Sequence, residues 1–204
     1  GNAVAVGGGT VFYGAMAWRF PPIDFRLRSA YGTVADSSLE DWPISYDDIE
    51  PCYEKVEWEI GVAGDMSACP QAPPRKRNYP MPAFPYNKAA EVLAAGGKRA
   101  GLHPFPVPML RNSVPYNNRP ACLQRRFCPG FNCPADAKNG THNTVLPKAL
   151  ATGNCELRTG CMAAEITMDN RGRARGVRYF DAGNREQVQP ADVVVLSAGA
   201  TETA

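Results

Sequence analysis

Two stretches of the chain carry residue types that could do chemistry. The first is Gly7-Gly8-Gly9 beside an apolar run, with Tyr13, Met16 and Trp18 close behind. Consecutive glycines bring no side chain to a core and lose the most backbone entropy on folding. They suit a backbone that turns sharply or lets something approach closely, and the usual guests of such loops are phosphates and flat cofactors held by exposed N–H groups. A tight turn after a short strand is the plainer reading of the same residues. The second stretch, "CLQRRFCPGFNCPADAK", sets Cys122, Cys128 and Cys133 among Pro, Gly and Asn, with Pro134 after the last thiol. Soft thiolates select zinc or iron–sulfur clusters, and a Cys-Pro ending recurs in ferredoxin-type cluster loops. The usual two-residue spacing is absent, no fourth ligand is evident, and His142 is the one nearby imidazole for zinc. The alternative is a surface loop of free or disulfide-paired cysteines. Cys52, Cys69, Cys155 and Cys161 are scattered and read as small buried hydrophobes.

These residues must be positioned by a mixture of helices and strands. Residues 3–20 read as a strand end, a glycine turn and a short helix or loop. In "EDWPISYDDIEPCYEKVEWEIGVAG" the helical spacing of Ile49, Tyr53, Val56 and Ile60, with acids crowding the first turn, predicts a helix. It starts at Ser45, a good N-cap, or at Glu50, because Pro51 fits only near a helix start. Residues 87–101 predict a second helix rich in Ala and ending in glycines, and 144–150 a third. Between them lie proline-rich loops. From Cys155 onward the pattern turns to strands at 155–159, 161–168 and 174–181, separated by Asn-Arg-Gly and Ala-Gly-Asn turns. Val193–Leu196 is an apolar run that predicts a strand buried on both faces of a parallel sheet. The small residues of "SAGATET" follow it, at the strand end where ligands sit in an open α/β sheet.

Composition narrows the function classes. With 22 basic and 20 acidic side chains, the formal charge of +2 offers no field for nucleic acid, and Arg75-Lys76-Arg77 reads as a solvated loop. No stretch approaches the roughly 20 apolar residues of a membrane span. The pattern Asn139-Gly140-Thr141 matches a glycosylation acceptor but is short enough to arise by chance.

Four blocks, "AVGGGTVFYGAMAWRF", "DWPISYDDIEPCYEKVEWEIGVAG", "CPADAKNGTHNTVLPKALATG" and "ARGVRYFD…ADVVVLSAGATET", occur in the order found in the glucose-methanol-choline (GMC) oxidoreductases. The chain resembles the bacterial branch of flavin-dependent sugar, sugar-acid and alcohol dehydrogenases. The resemblance implies an α/β fold (an α+β mixture in this chain): part of an FAD/NAD(P)-binding Rossmann-like domain interrupted by part of a substrate domain. It divides the chain into an FAD-domain segment at 1–30, a helical and proline-rich insertion with the cysteine loop at 31–143, and a β-rich return to the FAD sheet at 144–204. The cofactor positions it carries over are Gly7, Gly8, Gly9, Thr10, Tyr13, Gly14 and Met16, then Met162, and Ala198, Gly199 and Thr201 on the returning strand. Some cytochrome-linked relatives hold an iron–sulfur cluster on three cysteines placed like Cys122, Cys128 and Cys133, although the second gap here is one residue longer. FAD is therefore the expected cofactor, with an iron–sulfur cluster as the metal expectation.

Two family elements are missing. No G-x-G-x-x-G follows a strand, and neither His103 nor His142 matches the block that removes the substrate's hydroxyl proton. No catalytic residue is assigned, and the chain is expected to be an internal fragment, inactive alone, of an enzyme that oxidises a CH–OH group of an alcohol, sugar or sugar acid. A cytochrome or quinone acceptor follows if the cluster exists. The competing reading is a cysteine-based metal module or an inactive relic. Dehydrogenases of this branch are often periplasmic or membrane-associated through partner subunits, and no targeting signal selects between these locations and the cytoplasm.

Overall fold

The computed structural model describes residues 4–125 and 128–199. The chain forms two compact units, Gly1–Thr152 and Gly153–Ala204. Helices and sheets are mixed, as expected. The first unit contains α1 (Leu27–Tyr31), α2 (Tyr46–Val56), α3 (Lys88–Arg99) and α4 (Val145–Ala151), with one short parallel pair, β1 (Ala63–Gly64) and β2 (Met81–Pro82).

Local chemistry explains where the helices begin. Of the two starts open to α2, the structure selects Ser45, whose hydroxyl accepts from the Asp48 N–H while the Asp48 carboxylate accepts from the Ser45 N–H, a reciprocal capping box. Pro51 is accommodated inside the helix. Beyond Val56 the chain widens into a π-turn over Glu57–Gly61, and Gly61 ends it at φ +98°. Only glycine fits that place, because a Cβ would stand 2.8 Å from the Tyr116 ring. In α3, Asn87 caps the helix by accepting from the Ala90 N–H.

A buried ionic knot fixes α2 to the N-terminal segment. Arg19, its side chain only 1% exposed, donates to both carboxylate oxygens of Glu57 at 2.8 and 2.7 Å, to the Tyr46 hydroxyl at 3.0 Å and to Glu50 at 3.3 Å. Arg75 reaches the same Glu57 carboxylate from the other side at 3.0 and 3.3 Å. Burial disfavours the Arg19 cation, but the bonds to Glu57 and Tyr46 outweigh it and the net shift is upward. Glu50 follows the same logic: burial opposes its charge, the Arg19 bond, the Lys76 N–H and the charges of both together overcome it, and its carboxyl is held below the ordinary range.

The second unit is an antiparallel sheet in the order β3 (Met162–Met168), β4 (Ala174–Phe180), β5 (Glu186–Pro190). Its two turns are the predicted ones. The strand expected at 155–159 is not formed, and β5 stands where no strand was expected. The buried parallel strand expected at Val193–Leu196 is also corrected: those residues are irregular, and Val193 and Val195 are 77% and 81% exposed. An apolar run becomes a buried strand only where neighbours pair with it on both edges, and none of the described residues does so. Cys52, Cys155 and Cys161 are exposed rather than buried, and Cys69 is half-buried.

Candidate cofactor site

The glycine block turns as its composition requires. Gly7 (φ +96°) and Gly8 (φ +52°) take the left-handed conformation, and Gly8–Val11 forms one 3-10 turn. The three glycines then differ in what they face. A Cβ on Gly7 would collide with the His142 imidazole, 2.8 Å from Nδ1, whereas a Cβ on Gly8, Gly9 or Gly14 would meet no atom within 4 Å. Gly7 is thus a packing glycine, and Gly8, Gly9 and Gly14 leave bare backbone facing open space.

Residues 138–144 hold this block from behind. The Thr10 hydroxyl donates to the Gly7 carbonyl at 2.6 Å and accepts from the Thr141 N–H at 3.2 Å. Tyr13 donates its hydroxyl to the Asn139 carbonyl, and burial, then the nearby Cys128 sulfur, push the phenol well above its ordinary range. Asn139 is fully buried; its amide donates to the Gly61 carbonyl at 2.6 Å and its Oδ1 accepts from Arg119 at 2.5 Å. The glycosylation pattern at this residue is therefore closed off in the folded chain. Lys138, 2% exposed, spends its ammonium on three backbone carbonyls: Phe131 at 2.6 Å, Cys128 at 3.0 Å and Tyr13 at 3.3 Å. Beyond Tyr13 the chain turns once more at Ala15, which is left-handed at φ +63°, and Ala15 and Ala17 then bond to Leu110 and Pro108, while Met16 and Trp18 stand out at 60% and 53% exposure.

Sequence reasoning placed Gly7 to Met16 on one segment, and the structure keeps them together. It missed His142, Lys138 and Asn139 as the scaffold of that segment; the signal available was that all three sit in the block "CPADAKNGTHNT". Met162 opens β3 and is 63% exposed, and Ala198 and Gly199 are exposed in the second unit. Thr201 lies outside the described residues.

Cys122, Cys128 and Cys133 line one cavity with Arg111, Arg125 and Lys138, and Arg111 Nη1 lies 3.9 Å from the Cys128 sulfur. Among the described residues no three Cys, His, Asp or Glu side chains converge as a metal-ligand set.

The model of the GMC oxidoreductase family matches residues 2–204. The chain belongs to the GMC oxidoreductases. These enzymes bind FAD, and the N-terminal domain of the family is Rossmann-like. The chain is 34% identical over 201 residues to 6'''-hydroxyparomomycin C oxidase of Streptomyces lividus, covering 98% of this chain and 36% of that protein. It is 30% identical over 201 residues to the fructose dehydrogenase large subunit of Gluconobacter japonicus, covering 97% and 35%. To the gluconate 2-dehydrogenase flavoprotein of Pantoea cypripedii it is 27% identical over 217 residues, covering 94% and 35%. The chain thus spans about a third of the length of these curated relatives. The open backbone at Gly8, Gly9 and Gly14 suits FAD, because a flat or phosphorylated group can approach there without displacing a side chain. No helix among the described residues is long and apolar enough to cross a membrane.

Proposed function

We propose that the full-length protein is an FAD-dependent oxidoreductase that oxidises a CH–OH group of an alcohol, sugar or sugar acid. In this reading residues 1–30 and 144–204 serve the FAD domain, and 31–143 are an insertion on the substrate side. The observation that carries it is the family match over residues 2–204 together with a glycine block whose Cβ positions at Gly8, Gly9 and Gly14 are open.

FAD, when bound, supplies the two-electron acceptor for the hydride leaving the CH–OH carbon. The chain's own part is to bind and orient. Gly8, Gly9 and Gly14 offer backbone; Thr10, Gly7 and His142 lock the turn that presents it; Tyr13, bonded to Asn139, anchors the segment to residues 138–144; Met16 contributes an exposed apolar side chain. We assign no proton-abstracting base to this chain, since neither His103 nor His142 falls in a segment that matches the block that removes the substrate's hydroxyl proton. The acceptor turns on the cysteine loop: a cluster on Cys122, Cys128 and Cys133 would relay single electrons to a cytochrome or quinone, and without one a soluble acceptor or oxygen takes the electrons.

The test is to purify the full-length protein, extract and identify its flavin, and follow anaerobic bleaching of the flavin bands by alcohols, sugars and sugar acids. Bound FAD bleached by one of these classes supports the reading. Absence of flavin, or a flavin that none of them reduces, sinks it. Iron and acid-labile sulfide in stoichiometric amounts would select the cytochrome or quinone acceptor, and their absence the soluble acceptor or oxygen.

A further inference from the structure

The cavity that Cys122, Cys128 and Cys133 line carries three cationic side chains, Arg111, Arg125 and Lys138, and no acidic one. Lys138 is consumed by backbone carbonyls. Arg111 has no carboxylate partner among the described residues; it stacks on the Phe84 ring at 4.7 Å, and its Nη1 lies 3.9 Å from the Cys128 sulfur. Thiolates rather than thiols are the nucleophiles, and reactive cysteines occupy electropositive, partly exposed surroundings. Cys128 meets both conditions, being half-buried with a guanidinium beside its sulfur. The two neighbouring thiols differ. The Cys122 sulfur accepts from the Gln124 N–H at 3.3 Å, whereas the Cys133 sulfur makes no hydrogen bond among the described residues. Only Pro129 to Asn132 separate Cys133 from Cys128.

From three thiols and an unpaired guanidinium around one cavity, we infer that Cys128 is a peroxide-reactive thiol and that Cys133 resolves it, making the pair a modification site beside the glycine block. The Cys128 thiolate attacks one oxygen of hydrogen peroxide; the S–O bond forms, the O–O bond breaks, and the leaving hydroxide takes up the thiol's proton as water. The Cys133 thiolate then attacks the sulfenic sulfur; the S–S bond forms, the S–O bond breaks, and a second water leaves. Two thiols and one peroxide thus become one disulfide and two waters, the sulfurs giving up the two electrons that oxygen gains. Peroxide is the co-product of the proposed CH–OH oxidation when oxygen takes the electrons, and the inference rests on that reading for this source alone. The loop between the two thiols is fastened to the glycine block. The Gly130 N–H donates to the Phe12 carbonyl at 2.7 Å, and Lys138 joins the carbonyls of Cys128 and Phe131 to that of Tyr13. A disulfide holds its two Cα atoms about 4.4–6.8 Å apart, and closing that ring over four residues redraws the loop on which those bonds depend. Oxidation therefore loosens the block that presents Gly8, Gly9 and Gly14.

The test uses the full-length protein, reduced, freed of reductant and treated with hydrogen peroxide in the absence of substrate. Dimedone, which captures sulfenic acids, and peptide mass mapping follow each cysteine. Wild type gains a link between Cys128 and Cys133 that a thiol reductant reverses, Cys133→Ser accumulates the dimedone adduct on Cys128, and Cys122→Ser behaves as wild type. Cys128 reacts about tenfold faster than Cys52, although Cys52 is exposed and Cys128 half-buried. Arg111→Gln removes most of that lead, and Arg111→Lys, which keeps the charge, retains it. Oxidation raises the FAD dissociation constant of wild type about fivefold and leaves that of Cys128→Ser unchanged. Equal rates at Cys128 and Cys52, a link from Cys128 to Cys122 instead, or stoichiometric iron and sulfide on the three thiols overturns the site, and unchanged FAD affinity in the linked protein overturns its coupling to the glycine block. Because the peroxide is added, the two readings fail separately. If no alcohol or sugar reduces the flavin but peroxide links Cys128 to Cys133, the CH–OH oxidation has failed and the thiol site stands; if the flavin is reduced and peroxide leaves both thiols free, the thiol site falls alone.

Discussion

Replacing the glycines of the first turn one at a time by alanine separates backbone strain, packing and cofactor access. Gly7→Ala must hold φ near +96°, which costs an L-residue about 1–2 kcal/mol, and its new methyl lies 2.8 Å from His142 Nδ1 and 2.9 Å from its Cβ. Overpacking of that kind adds about 1–3 kcal/mol, so the total is about 2–5 kcal/mol. Gly8→Ala, at φ +52° with no atom within 4 Å, carries the strain alone, about 1–2 kcal/mol. Gly9→Ala has neither burden, because its φ is ordinary and its surroundings are open. Its methyl instead fills space proposed for the cofactor. At about 1–3 kcal/mol of obstruction, FAD dissociation constants rise about 5- to 150-fold. Thermal-shift midpoints of the full-length apoprotein therefore fall in the order Gly7→Ala, Gly8→Ala, Gly9→Ala, the last near wild type, while quenching of FAD fluorescence shows Gly9→Ala binding weakly. Adding His142→Ala to Gly7→Ala restores the packing part and leaves the strain. The reasoning is refuted if Gly9→Ala destabilises the apoprotein as much as Gly7→Ala and leaves FAD affinity within twofold, or if His142→Ala gives Gly7→Ala no relief.

Removing the shared carboxylate by Glu57→Ala leaves Arg75 without its anion and Arg19 with Glu50 alone and costs about 3–5 kcal/mol, visible as a lower melting temperature, with Glu57→Gln costing less because it keeps acceptor capacity. Glu50, whose carboxyl is held below its ordinary range, stabilises the fold above the unfolded-state value near pH 4.3, and this contribution disappears as pH falls through the lowered folded-state value. Melting profiles between neutral and acid pH accordingly flatten at the acid end in Glu50→Gln. Lys138→Met leaves the carbonyls of Tyr13, Cys128 and Phe131 without their donor, so hydrogen exchange at 128–131 and around Tyr13 quickens together and stability falls by about 2–4 kcal/mol. Ser45→Ala breaks one capping box and costs about 1 kcal/mol, read from the same melts.

The parts of the fold legible in the sequence are those decided within a few residues. Ser45 with Asp48, and Asn87 with the Ala90 N–H, are local bonds that a reader of the chain can anticipate. The turns at Asn170-Arg171-Gly172 and Ala182-Gly183-Asn184 are local as well. The scaffold of the candidate site was not legible, because its deciding bonds join residues far apart in the chain, such as Asn139 with Gly61, 78 positions away, and Tyr13 with Asn139, 126 positions away. Nothing in the polar run around Lys138 announces a buried ammonium. β5 escaped notice because Glu186–Pro190 is exposed along its whole length, so no alternation marks it. Val193–Leu196 misled for the opposite reason: its apolarity is plain, but pairing depends on strands elsewhere. The cysteine loop shows the limit of spacing as evidence. Proximity in sequence brought the thiols to one cavity, but whether they converge is set by a proline- and glycine-rich path that spacing does not fix.

The burial of Asn139 turns its glycosylation pattern into a reporter of folding. Oligosaccharide transfer needs an extended, accessible acceptor, whereas this amide is consumed by Gly61 and Arg119 once the first unit forms. Expressed through a secretory pathway, a chain that collapses quickly escapes modification, and a chain delayed in folding acquires a glycan that then bars the native arrangement. The mass of the secreted product thus records, molecule by molecule, which event came first.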